Sequence, residues 1–226
     1  MARMDEEIKR DVVDELTWDD RVDASKVSVE VSNGTVTLRG EVPTYLASTA
    51  ASNDAVGILG VVDVRNQLAV RYPAAVSIPT DEELGTEIRR KLAWNPDIDV
   101  LDMEVDVSAG VVTLRGTVDA YWKRLYAEEL VSSEPGVVFI NNHLAITPEK
   151  DIIDKDIAND IVRSLEARSA VYADDVNVRV RNGRVTLNGT VPSWPARQSA
   201  HDAAAFTPGV TGVDNRLLVS GVGAAV

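Results

Sequence analysis

The chain contains no cysteine. That one absence removes disulfides, thiolate metal sites and a cysteine nucleophile together. Aromatic residues are scarce, at 5%, so any core must be built mainly from Val, Leu, Ile and Ala. No apolar run approaches the roughly 20 residues that span a bilayer. Residues Met1 to Arg10 are mixed in charge and lack an apolar stretch and a small-residue cleavage site, so they do not read as a signal peptide. As it stands, the chain is expected to be cytoplasmic, or periplasmic if a leader has been removed. The only histidines, His143 and His201, fall at unrelated positions, which gives no basis for zinc ligation or a histidine base. Neither a Gly-x-Ser-x-Gly motif nor a Gly-rich phosphate loop with its lysine occurs. No metal, cofactor or enzymatic activity is therefore expected. Positive charge is also short, with a formal net charge of -13. That opposes nucleic acid as a partner and broad adhesion to anionic membranes.

What the chain does have is internal repetition, which precedes any reading of the fold. Val31-Ser-Asn-Gly-Thr-Val-Thr-Leu-Arg-Gly-Glu-Val42 matches the segments Val107–Val118 and Val180–Val191. Downstream, Gly60-Val-Val-Asp-Val-Arg-Asn66-Gln-Leu68 matches the segments beginning at Gly136 and Gly209. Upstream, Ile8/Val12/Leu16 matches Leu84/Ile88/Leu92 and Ile157/Ile161/Leu165. These landmarks place modules at 1–72, 80–148 and 150–220, joined by short Pro-containing linkers that favour a fixed arrangement.

Each copy reads as helix, strand, strand, helix, strand. The i, i+4, i+8 apolar spacing marks one buried stripe on the first helix. Thr80 with Glu83 forms a capping box in the second copy. Alternation marks the first strand at Val27/Val29/Val31, Met103/Val105/Val107 and Val176/Val178/Val180. Asn33-Gly34 and Asn182-Gly183 are two-residue hairpin turns that need positive φ, and Ala109-Gly110 is a weaker version. Thr44, Asp119 and Ser193 are candidate caps of the second helix. A third strand returning through a helix pairs parallel to the second. The expected class is α+β: three αββαβ modules, each a three-stranded mixed sheet with both helices on one face. The other face is polar.

The signature Gly34-Thr-Val-Thr-Leu-Arg-Gly40-Glu-Val42, with Gly60-Val…Val64-Arg-Asn66-Gln-Leu68 after it, resembles the BON domain, in three tandem copies. The resemblance implies the same αββαβ module. It also implies a non-enzymatic role in osmotic or envelope stress, often through anionic phospholipid. A cytosolic member that carries a LysM domain binds potassium.

Several residues invite a function. Gly34, Gly110, Gly183, Gly40, Gly116 and Gly189 recur at turns and strand positions, where backbone geometry explains them. Asn66, Asn142 and Asn215 fall in an inward register among Val and Leu and are expected to clamp neighbouring backbone. Trp18, Trp94, Trp122 and Trp194 sit at helix ends, where packing over an Ala-rich core is favoured over membrane contact. The acidic run Asp97–Asp106 lacks the glycine and the final Glu of a calcium loop.

Charge is uneven: -5 for residues 1–76, -8 for 77–149 and 0 for 150–226. In the third copy Arg179 and Arg181 lie two apart on one strand, so both face the open side, with Arg184 just past the turn. These guanidiniums can hold a phosphate or carboxylate, or pair with acidic surface of another copy or subunit. The leading expectation is a binding or scaffold protein that takes anionic phospholipid or another anionic ligand. The alternatives are a potassium-responsive binding protein and a self-assembling, homo-oligomeric structural protein.

Overall fold

The computed structural model describes residues 4–100, 102–148, 152–168 and 175–219. The first module runs α1 (Asp5–Trp18), β1 (Val27–Ser32), β2 (Thr35–Val42), α2 (Tyr45–Gly57) and β3 (Asp63–Val70). The second runs α3 (Asp81–Trp94), β4 (Met103–Ser108), β5 (Val111–Val118), α4 (Tyr121–Ser132) and β6 (Phe139–Ile146). The third runs α5 (Asp154–Glu166), β7 (Val176–Arg181), β8 (Arg184–Val191), α6 (Trp194–Ala205) and β9 (Gly212–Val219). In each sheet the central strand pairs antiparallel with the first strand and parallel with the third. The sheets are thus mixed, as a helical return to the third strand requires.

The apolar stripes do what their spacing dictates. Ile8, Val12 and Leu16 are buried on α1, and Ile157, Ile161 and Leu165 on α5. They meet the inward residues of the central strands, Val36 and Leu38 in the first module and Val185 and Leu187 in the third. Each such side chain contributes about 1.5–3 kcal/mol by leaving water. Thr80 and Glu83 form the capping box that starts α3. Thr44 and Ser193 cap α2 and α6 by accepting from Ala47 and Ala196. Asp119 does not cap α4. The cap position is Ala120, one residue later, and Asp119 pairs with Lys123 Nζ at 2.8 Å instead.

The hairpin turns carry positive φ at both residues: 49° and 74° at Asn33-Gly34, 51° and 75° at Ala109-Gly110, 51° and 72° at Asn182-Gly183. Each turn is also held from outside. The carboxylate of Asp5, the first residue of α1, accepts from Asn33 N at 2.8 Å and Gly34 N at 3.0 Å. Asp81 accepts from Ala109 N and Gly110 N in the same way, and Asp154 from Asn182 N and Gly183 N. At Gly40, Gly116 and Gly189 a Cβ would meet the carbonyl of Lys26, Asp102 or Asp175 at 2.0 Å or less, so no side chain fits there.

The three modules touch in a closed ring. Tyr45 opens α2, packs against the second module's core and lies edge-on to Phe139. Its equivalent Tyr121 opens α4, packs against the third module's core and contacts the His201 ring, while Trp122 beside it stacks on Phe206. The third member of the set is Trp194, which opens α6 and donates through Nε1 to Val61 O of the first module at 2.9 Å.

Candidate anion-binding face of the third module

Strand alternation decides which residues of the third sheet face outward. Val185, Leu187 and Leu217 are buried under the helices. Their neighbours along the strands therefore point the other way: Asn177, Arg179 and Arg181 on β7, Arg184, Thr186 and Asn188 on β8, Asp214 and Arg216 on β9. The hairpin register sets Arg181 directly opposite Arg184, and Arg179 opposite Thr186. The three arginines singled out from the sequence thus share one surface, and Arg216 joins them from β9. Nothing in the chain ahead of the third strand announces Arg216. Only the parallel register, which places it beside Asn188, brings it to this face.

The four arginines differ in their partners. Arg216 forks onto Asp214, with Nε at 2.8 Å and Nη2 at 2.6 Å. That pairing, led by the side-chain hydrogen bond, holds the Asp214 carboxyl below its ordinary range. Arg179 Nε donates to Asn177 Oδ1 at 3.2 Å. Among the described residues, Arg181 and Arg184 have no carboxylate at ion-pairing distance. They line a shallow concavity of about 770 Å³ together with Arg179, Thr186 and Thr211, and among the described residues no acidic side chain lines it.

The equivalent faces of the other modules carry their own carboxylates. In the first, Arg39 binds Glu30 and Gln67, and Arg65 faces Asp63. In the second, Glu104 and Asp106 stand beside Arg115 and Thr113. Where the third module pairs Arg181 with Arg184, the first pairs Ser32 with Thr35 and the second Ser108 with Val111.

The remaining candidates sort differently. The three asparagines are less buried than an inward register implies: Asn66 is exposed, Asn142 and Asn215 half-buried. The third strand lies at the sheet edge. Each amide still bridges two elements. Asn66 Nδ2 donates to Ser48 O at 2.9 Å while its Oδ1 accepts from Leu68 N at 3.0 Å. Asn142 and Asn215 repeat this with Arg124 O and Arg197 O. Trp18 and Trp94 do not pack over the core. Both are 84% exposed, because the i, i+4, i+8 stripe ends at Leu16 and Leu92 and the next residues turn outward. Trp194 and Trp122 lie at module junctions. In the acidic run, Glu104 and Asp106 are exposed outward residues of β4.

Three arrangements had weaker sequence signals. The turn-clamping Asp5, Asp81 and Asp154 each stand three residues before the first stripe residue, an alignment the repeat contains. The ring-forming trio Tyr45, Tyr121 and Trp194 is also in register, but its role depends on how the modules meet. The third arrangement occurs once. Asp54 on α2 faces Asp19 at the end of α1, with Arg21 beside them. Burial, then the Asp19 contact, raises the Asp54 carboxyl to about 6, while the Arg21 hydrogen bond holds Asp19 well below the usual range.

The model of the family described as "BON domain" matches residues 4–72, 80–148 and 153–221. The chain is 30% identical over 128 residues to osmotically-inducible protein Y of Escherichia coli, covering 55% of this chain and 64% of that one. It is 31% identical over 114 residues to the 21 kDa hemolysin of Actinobacillus pleuropneumoniae, covering 50% and 59%. The matched regions thus span less than two thirds of these relatives. Among solved structures, CdsD, a structural protein of the Type III secretion system of Chlamydia trachomatis, aligns over 94% of this chain and 92% of its own, at 15% identity and a TM-score of 0.26. With three matches in tandem over nearly its whole length, the chain belongs to the BON domain family.

Proposed function

We propose that this is a non-enzymatic binding protein of osmotic or envelope stress, and that its third module holds an anionic ligand, phospholipid first, on the open sheet face. The observation that carries the reading is the pair Arg181 and Arg184. Like charges set directly opposite on neighbouring strands are destabilising. Among the described residues no carboxylate forms an ion pair with either, Asp214 acting on Arg184 only from farther off, and the other two modules keep neutral residues at the same place. A local rule broken without internal compensation marks a functional position. A phosphate between the two guanidiniums converts the repulsion into charge-assisted, bidentate hydrogen bonds.

Two further observations support the reading. One relative, matched over more than half of this chain, is named for osmotic induction. Trp18 and Trp94 stand 84% exposed at the same helix end in two modules, a position suited to the interfacial zone of a bilayer. No described helix is long and apolar enough to cross a membrane, so contact would be peripheral.

The test is flotation with phosphatidylcholine vesicles, with and without phosphatidylglycerol, at low ionic strength. The protein should float only with the anionic vesicles, and added salt should weaken this. Arg181→Glu with Arg184→Glu should abolish flotation without loss of thermal stability. If the unmutated protein fails to float with phosphatidylglycerol vesicles, the lipid reading is wrong.

A further inference from the structure

The open face of the third module continues beyond the arginine pair. Arg179 and Thr186 form a shared wall between the concavity at Arg181 and Arg184 and a second one of about 660 Å³. The second has different chemistry. Asn177 and Asn188 stand opposite one another, and Arg216 stands beside Asn188 on the next strand. Asp175 lines the far end, and the Arg216 charge is already met by Asp214. Cations and carboxylates are therefore close to balance here, among two amides and a hydroxyl. Such a set does not favour a second phosphate. It suits hydroxyl groups, which donate to the carboxylate and the amide oxygens and accept from the amide nitrogens.

Neither of the other modules repeats the combination. The positions equivalent to Asn177 and Asn188 are Ser28 and Arg39 in the first module and Glu104 and Arg115 in the second. The anion-binding concavity and the amide-lined one thus occur together, once, side by side. Successive outward positions on a strand lie about 6.6 Å apart, so Asn177 and Asn188 stand one such step from Arg179 and Thr186, the scale of one polyol ring between a phosphate and its far hydroxyls.

We propose that this face takes a phosphorylated polyol. The phosphate lies beside Arg179, where the long side chains of Arg181 and Arg184 reach it, and the hydroxyls meet Asn177, Asn188 and Arg216 one step further along the sheet. The proposal rests on the anion reading above and names the ligand class. The same chemistry is offered by a soluble polyol phosphate and by the polyol headgroup of an anionic phospholipid.

The test uses the full chain and isothermal titration with inorganic phosphate, myo-inositol and myo-inositol 1-phosphate. In parallel, flotation compares phosphatidylcholine vesicles containing phosphatidylinositol with vesicles containing phosphatidylserine at equal charge. Inositol phosphate should bind about tenfold more tightly than phosphate, the worth of one or two net hydrogen bonds. Asn177→Ala with Asn188→Ala should erase that advantage and leave phosphate binding in place. Arg181→Gln with Arg184→Gln should remove both. A preference shown by the vesicles alone assigns the ligand to the membrane, and a preference in both arms assigns a soluble ligand as well. Equal binding of phosphate and inositol phosphate, with no vesicle preference, overturns the polyol assignment and leaves the anion reading standing. No binding to any anionic probe or vesicle overturns both.

Discussion

On the helix-covered side, the first and third modules are nearly one structure. Val36 and Leu38 take the places of Val185 and Leu187, Ala50, Ala51 and Ala55 sit over the first core, and Ala200, Ala203 and Ala204 over the third. On the open side they share little beyond Thr37 and Thr186. Glu30 and Arg39 neutralise one another in the first module, whereas Arg181 and Arg184 in the third do not. Sequence held constant across the repeats maintains the module. Sequence that varies on the uncovered face is free to specify a ligand, because nothing packs on it.

Mutations at shared positions should therefore cost stability alike in every module and leave the ligand face intact. The largest such effect is expected at the turn clamp. Asp5→Ala, Asp81→Ala and Asp154→Ala each remove a carboxylate that accepts two backbone N–H groups. Bonds to charged acceptors are the stronger kind, so each change should cost about 2–3 kcal/mol. Chemical denaturation of the three variants checks the equality. Flotation with anionic vesicles should be unchanged for Asp5→Ala and Asp81→Ala. A clamp that mattered in one module only would break the comparison.

The modules, their element order and the mixed pairing were legible because each rests on local signals given three times over. The arginine face was partly legible. Two-residue periodicity put Arg179 and Arg181 together, but Arg216 joins them through its pairing with Asn188, 28 positions earlier in the chain. The ring was not legible. Tyr45, Tyr121 and Trp194 align in the repeat, yet alignment does not say that each reaches the following module. Trp18 and Trp94 are expected to pack over an Ala-rich core, yet both point outward because the apolar stripe has already ended at Leu16 and Leu92.

A smaller effect should appear where the modules differ beneath the surface. The end of the first helix meets the second helix through Asn95 and the Tyr126 hydroxyl in the second module, and through Arg168 and Ser199 in the third. In the first module this junction holds Asp19 and Asp54, faced by Glu15 and Arg21. Asp54 titrates near 6 in the folded protein against an ordinary 3.8. A raised carboxyl binds its proton more tightly folded than unfolded, so its contribution is full at low pH and declines as pH rises between those two values. Asp19 works in the opposite sense: its stabilisation is present above its ordinary range and is lost on acidification. Asp54→Asn should therefore raise stability near neutral pH and change it little at about pH 4. Solvent screening of a half-exposed group limits the gain to about 1 kcal/mol. Thermal unfolding of both proteins across that range checks it, and a pH-independent difference would argue against the shared proton.

The smallest effect concerns the one turn that departs from its counterparts. Asn33 and Asn182 hold φ of 49° and 51° at the first turn position, and in the second module Ala109 holds 51°. Asparagine tolerates this left-handed region, while a plain Cβ there costs about 1 kcal/mol. The Asp81 clamp grips the Ala109 backbone, so a new side chain does not disturb it. Ala109→Asn should stabilise the protein by about 0.5 kcal/mol, read as a shift in denaturation midpoint with unchanged slope. Ala109→Gly relieves the same strain but frees the unfolded chain, so its gain should be smaller. The order Asn, then Gly, then Ala would show that the second module carries local strain its neighbours lack. Since Ala109 belongs to the second module and not to the third module's open face, vesicle binding should be the same for all three.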